Sequence, residues 1–431
     1  MRDEEQADGL RPQEMVDIEP IAPAPIMSER RVSLIGAMLV AVGPVSMALY
    51  TPAMPQIVEA FGTTESAVKM TLSMYFAGFA VAQLFCGPLS DGFGRKPVTI
   101  TFMLIYVVAS LLALVAPSVE VLIAARCLQG VGAAVGVATA RAVVRDLFTH
   151  ERSARIMNLI GIILAAGPAL APTIGGLTMG LAGWQAIFLV MLAAGFLISL
   201  LVQIFMRETV VRDLSRIKPR GLVLAYGTLF RSPYFLASSV VVAGSVGAMY
   251  TQATVLPFIL MDRVGLSPAQ FGAGMLMQTG MFFLGSLTVR VLMRRLSAFR
   301  LVPVGLCFVG TGSTLLVVLL GFWPSTFLSV MGPVGFYAFG IAFITPAMMT
   351  AALAPFPQMA GAASALAGFM QMGGGLLGGS VAALIGDPVL AMRIVIPAMG
   401  ATAIAAWLVW RRLPEPSQAS RVAAVGSEPA L

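Results

Sequence analysis

Charge is scarce in this chain of 431 residues: Asp, Glu, Lys and Arg make up 11% of it, against 58% hydrophobic residues. An average soluble domain carries about 25% charged residues. So little charge cannot clothe a globular surface in water, and the solvent for most of the chain must be lipid. Histidine is nearly absent as well. The single one, His150, falls in a basic stretch, which leaves an intramembrane enzyme without a nucleophile–base pair or a metal-ligand cluster. Cysteine is limited to Cys86, Cys127 and Cys307, all inside apolar runs; the odd number excludes a disulfide framework and reads as buried packing thiols. The amino terminus lacks the basic start and apolar middle of a signal peptide. Residues 1–28 are rich in acids and prolines and read as a disordered cytoplasmic tail, as do residues 413–431. The most telling shortage is of acid within the greasy segments. No Asp or Glu lies in the interior of any long apolar run; Glu120, Asp262 and Asp387 sit at one set of ends, Asp91 and Asp146 at the other.

What is present is a series of apolar runs long enough to cross a hydrocarbon core, which takes about 20 residues. Twelve are legible: 32–55, 69–88, 97–116, 120–141, 155–179, 184–206, 235–258, 269–291, 300–321, 326–349, 359–383 and 390–410. The net charge of +7 does not point to nucleic acid, because the basic residues cluster at the ends of these runs. With the amino terminus inside, twenty Lys and Arg residues fall on the inner side and only Lys69, Arg263 and Arg393 on the outer. That bias places both termini in the cytoplasm. The polar stretch between the sixth and seventh runs divides the chain into a bundle at 29–207, a cytoplasmic loop at 208–232 and a second bundle at 233–412. Setting Gly285 on Gly87 brings Leu287 onto Leu89 and Arg294 onto Lys96, a faint internal repeat at the position that two six-helix halves require. The expected fold is therefore an all-α membrane protein of twelve helices in two pseudo-symmetric bundles.

Between the second and third runs stands GPLSDGFGRKP, residues 87–97. Gly87, Gly92 and Gly94 allow a tight reversal, Pro97 suits the first turn of a helix, and Asp91 is an acceptor fit for a helix amino terminus. This stretch resembles motif A of the major facilitator superfamily, with Gly92 where that family has a basic residue. RCLQGVGAA (126–134) resembles motif B, and GPALAPTIGG (167–176) resembles the antiporter motif C. ARAVVRDLF (140–148), LPFIL (256–260) and GAASALAGFMQ (361–371) are similar to the Bcr/CflA subgroup of drug-efflux proteins. The resemblance implies export of drug-like molecules by alternating access in the inner membrane, powered by the proton gradient without a cofactor. It also implies a latch, with Asp91 at the amino end of span eleven and Arg95 near Asp146. Gly167, Pro168, Pro172 and Gly176 should bend span five or permit close packing.

Arg126 lies six residues into the fourth span, at a depth of about 9 Å, where an arginine costs about 2.5–3.5 kcal/mol on insertion scales. Gln129, Gly130 and Ala133 follow at helical spacing, so that face should meet protein or a cavity. The subgroup carries an acid in span one, in a pattern like the present ALYTPAMP (48–55), but here Ala48 holds the acid's place. Two readings stay open: coupling has moved to an acid at the cavity edge, or Arg126 awaits an anionic substrate. Tyr50, Tyr75, Tyr250, Gln252, Gln278 and Gln371 are the further candidates to line the path with Arg126 and Gln129. The 27 methionines suit a promiscuous apolar pocket. A small-molecule substrate and the bilayer are the expected partners of a monomer; import of a small organic anion or siderophore is the alternative.

Overall fold

The computed structural model describes residues 26–214, 217 and 219–414, and among these there is no β-strand. The expected tails up to residue 25 and from 415 lie outside the described residues. Twelve long helices follow one another: α1 (Glu29–Phe61), α2 (Glu65–Phe93), α3 (Arg95–Leu114) and α4 (Val119–Leu147), then α5 (His150–Ala182) and α6 (Trp184–Phe205), α7 (Pro233–Arg263), α8 (Pro268–Leu292), α9 (Ala298–Phe322), α10 (Phe327–Leu353), α11 (Pro357–Ile385) and α12 (Pro388–Trp410). Among the described residues, eleven of these are long and apolar enough to cross a membrane, and α5 is a further helix of 33 residues. With no water to bond the main chain, helices are the form that satisfies every backbone group within the span.

The helices begin where the sequence supplies caps. At the end of the bundle away from the α6–α7 linker (the far end), Thr64, Ser118, Ser267, Thr326 and Asp387 each accept a backbone N–H from the first turn of the following helix. Proline marks the irregular turns. Pro52 sits in a 3₁₀ turn, Thr51–Ala53, within α1, and Pro257 precedes the π-helical turn Phe258–Arg263 that ends α7.

Packing repeats with an offset of six helices. α1 lies on α4, α5 and α6, as α7 lies on α10, α11 and α12; α3 and α4 pack together with α2 and α6 as α9 and α10 do with α8 and α12. The halves join along two seams, α2 with α11 and α5 with α8. The glycine-rich GGGLLGG run is helical throughout and serves the first seam: α11 presses Gly375 onto Phe76 and Tyr250, and Gly379 onto Ser73.

Three expectations need correction. The reversal after the second span is made by Gly94 alone (φ 106°), while Gly87 and Gly92 are helical within α2; the linker's Ile217 side chain packs against Gly92 in the space a side chain there would take. The stretch 208–232, read as a loop, contains the helix Pro219–Phe230, whose Tyr226 hydroxyl donates to the Leu84 carbonyl (2.6 Å). Of the three thiols, Cys86 is buried, but Cys127 is half-buried and Cys307 is exposed on α9, because an apolar run facing lipid looks the same in sequence as one facing protein.

Candidate functional site

Glycine builds the first half of the site. Gly130 rests on the Tyr75 carbonyl of α2, Gly78 on the Cys127 carbonyl of α4, and Gly132 on the Tyr106 backbone of α3. These backbone contacts draw α2, α3 and α4 together around Arg126. Its guanidinium carbon lies 4.4 Å from the ring centroids of both Tyr50 and Tyr75, and the side chain is wholly buried.

The tyrosine hydroxyls all turn away from the cation. Thr71 donates to the Val68 carbonyl, so Tyr50 must donate to Thr71 (2.6 Å). Tyr75 donates to the Gly43 carbonyl (2.9 Å). Ser46 donates to the Val42 carbonyl, so Tyr106 donates to Ser46. What faces the guanidinium is therefore two aromatic π surfaces, each worth about 2 kcal/mol when desolvated. Nη1 donates to Gln129 Oε1. Gln129 is held in turn by its own Nε2, which donates to Ser110 Oγ (2.8 Å) and meets Met191 Sδ (3.3 Å). Among the described residues Arg126 has no acidic partner, and its Nε and Nη2 have no hydrogen-bond partner at all. These two donors share one edge of the guanidinium, the edge that takes a carboxylate side-on with two parallel bonds.

The second half carries two separate polar pairs. Gln371 on α11 donates to the Tyr250 hydroxyl on α7 (2.9 Å), and Gln278 on α8 donates to Gln252 on α7 (2.7 Å). Tyr250 stacks on Phe76 of α2 at 5.3 Å, and Phe76 touches Tyr75 edge-on. One aromatic run thus connects Arg126, across the α2–α11 seam, with the Tyr250–Gln371 pair. Gln252 and Gln278 stand apart from it. Ser110, Met191, Thr71, Tyr106 and Phe76 escaped the sequence reading, since nothing in their local pattern separates them from ordinary span residues.

At the linker end, Arg95 donates from Nε to Asp146 (3.1 Å) and also pairs with Asp91, one turn earlier on α2. Among the described residues Asp91 has no ion pair beyond Arg95. The acid at a helix amino terminus is instead Glu208, which accepts the backbone N–H of Arg95 (2.8 Å) and Lys96 (3.1 Å) at the start of α3. These contacts stay within the first half and the start of the linker, and none of them reaches α11, where Asp91 is expected. Across the halves at this end, Arg141 donates to Ser364 (3.2 Å).

At the far end the halves touch along both seams. Ser66 donates to the Ala383 carbonyl (2.7 Å), and the buried Lys69 donates to the Gly386 carbonyl (2.6 Å) and to Glu65 (3.1 Å). On the other seam, α5 runs as one unbroken helix through Pro168 and Pro172. Its Gly176 rests on the Pro268 backbone of α8, Gly272 of α8 rests on Pro172, and Thr173 donates to the Gly272 carbonyl (3.0 Å). Gly167 faces Val45 of α1.

Residues 36–379 match the family model described as Major Facilitator Superfamily. The chain belongs to this superfamily. It is 32% identical to the multidrug resistance protein MdtL of Salmonella heidelberg, over 90% of this chain and 97% of that one. It is 30% identical to the multidrug resistance protein D of Escherichia coli, over 86% and 93%, and 28% identical to an uncharacterized MFS-type transporter, YdgK, of Bacillus subtilis, over 81% and 87%. Its fold is shared with the crystal structure of a bacterial homologue of the human lysosomal transporter Spinster (TM-score 0.68, 15% identity, 89% of this chain and 96% of that one). It is shared also with the human organic anion transporter MFSD10 (TM-score 0.62, 16% identity, 89% and 99%). The chain is thus a multi-pass membrane transporter rather than an enzyme.

Proposed function

We propose that this superfamily member is a proton-coupled exporter of drug-like organic molecules, of the Bcr/CflA-like kind. In this reading it works as a monomer in the inner membrane, with both termini and the linker in the cytoplasm. The bodies that rock are the bundles 29–207 and 233–412. The observation that carries the reading is the aromatic run from Arg126 through Tyr75 and Phe76 to Tyr250 and Gln371. Its rings and few polar groups are buried or half-buried against one another in this state; parting the halves would expose flat apolar surface with a few polar groups, the composition of a site that takes varied ligands. The names of the relatives in Salmonella and E. coli agree with it.

The proton's carrier is then an acid at the edge of the path, since the interior of the spans holds none. Export from proteoliposomes on a compound panel, with and without an uncoupler, tests this. Transport indifferent to a pH gradient refutes the coupling. A second reading, transport of an organic anion, is favoured by the free Nε and Nη2 of Arg126: a substrate carboxylate would supply the missing charge. That reading fails if Arg126→Ala impairs cationic and anionic compounds alike.

A further inference from the structure

At the linker end of the first half, the exposed ridge of α1 separates two grooves. One, of about 720 Å³, runs between α1 and α5 and is lined by Arg30, Leu34, Arg155, Asn158 and Leu159 together with Glu29. The other, of about 160 Å³, runs between α1 and α6, is lined by Arg31, Leu201 and Phe205, and shares Arg30 and Leu34 with the first. In both, charge and apolar surface are layered. Arg30 and Arg31 open α1, and Leu34 follows one turn deeper; Arg155 lies near the start of α5, and Leu159 follows one turn deeper. Leu34, Leu159 and Phe205 are each more than 40% exposed. Among the described residues Arg30, Arg31 and Arg155 make no ion pair, and the acid of the groove, Glu29, is already engaged by Arg152 (3.5 Å).

We infer that this ridge is a binding site for an anionic phospholipid. The phosphate sits on Arg30 and Arg155, with Arg31 beside it, and one acyl chain descends each groove over Leu34. A basic rim above an apolar channel between helices is the arrangement that selects acidic headgroups. The site lies away from the aromatic run and does not depend on what is transported. The competing occupant is the chain's own acid-rich segment before residue 26, which carries carboxylates but no acyl chains for the grooves.

Native mass spectrometry of the delipidated full-length chain, titrated with phosphatidylglycerol or with phosphatidylethanolamine of the same acyl composition, decides the matter. Wild type should retain phosphatidylglycerol preferentially. Each arginine near the headgroup is worth about fivefold, so Arg30→Gln/Arg155→Gln should cut phosphatidylglycerol retention by about 25-fold and leave phosphatidylethanolamine unchanged. Arg294→Gln/Arg295→Gln, exposed on the other half, should change neither. Equal retention of the two lipids by wild type overturns the proposal, as does an unchanged preference in the Arg30/Arg155 variant. A preference that emerges only after residues 1–25 are removed also overturns it, because the tail then holds the site.

Discussion

Substitution of Gly272 by alanine adds a single carbon, and the structure says where it lands. On α8 it would stand 2.5 Å from the Pro172 carbonyl oxygen and 2.7 Å from Thr173 Cα, both backbone atoms of α5 in the opposite half. Ordinary contacts there need about 3.5 Å, so the seam must open by most of an ångström. Neither neighbour can rotate aside as a flexible side chain would. Overpacking of this kind costs about 1–3 kcal/mol. The cost falls only on the state in which the far end is closed, because parting the halves relieves it. About 2 kcal/mol moves the balance between the two states about 30-fold toward the open far end. Gly280 lies two turns along the same helix with nothing near its missing Cβ, so Gly280→Ala is the matched control, and both changes favour helix. Spin labels on cysteines at Gln185 and Ser325, in a background without Cys86, Cys127 and Cys307, report far-end separation by pulsed dipolar spectroscopy. The longer distance should gain population in Gly272→Ala and remain at the wild-type level in Gly280→Ala. If Gly272→Ala leaves the distribution unchanged, or if both variants shift it equally, α5 and α8 do not meet in the closed state as described.

Other consequences can be measured alongside. Arg126→Lys keeps the charge but loses the planar fork; transport of a carboxylate-bearing substrate should fall by about tenfold or more on the anion reading, and a variant as active as wild type argues against it. Tyr75→Phe removes one hydrogen bond to Gly43 and should cost about 1 kcal/mol, whereas Tyr75→Leu also removes a face of the Arg126 sandwich and should cost about 2 kcal/mol more; thermal unfolding in detergent should rank them in that order. Glu208→Ala uncaps α3 and should cost about 1–2 kcal/mol, more than Asp91→Ala, whose partly exposed pair with Arg95 is worth about 0–1 kcal/mol. A melting temperature lowered more by Asp91→Ala than by Glu208→Ala would contradict the assignment of the α3 cap.

Much of the architecture follows from composition alone, because a bilayer leaves a chain few choices. A run of about 20 apolar residues must be a helix when no water can bond its backbone, and so the number and order of the spans were readable from hydrophobic length, with their ends blurred by caps such as Thr64 and Asp387 that extend the helices past the apolar core. The membership of Arg126 and Gln129 in one polar face was equally readable, since helical spacing sets it. Helical spacing says nothing of what comes from elsewhere in the chain. That Arg126 meets the faces of Tyr50 and Tyr75 rather than an acid, that Asp91 pairs with Arg95 rather than standing at the amino end of span eleven while Glu208 caps α3, and that the outer-side Lys69 is a buried strut between the halves all depend on residues brought together from separate helices. The physical reason is one of reach. Hydropathy and periodicity are properties of a single helix, whereas a partner is chosen by how glycines such as Gly130, Gly78 and Gly272 let one backbone approach another, and that is decided only when the helices pack.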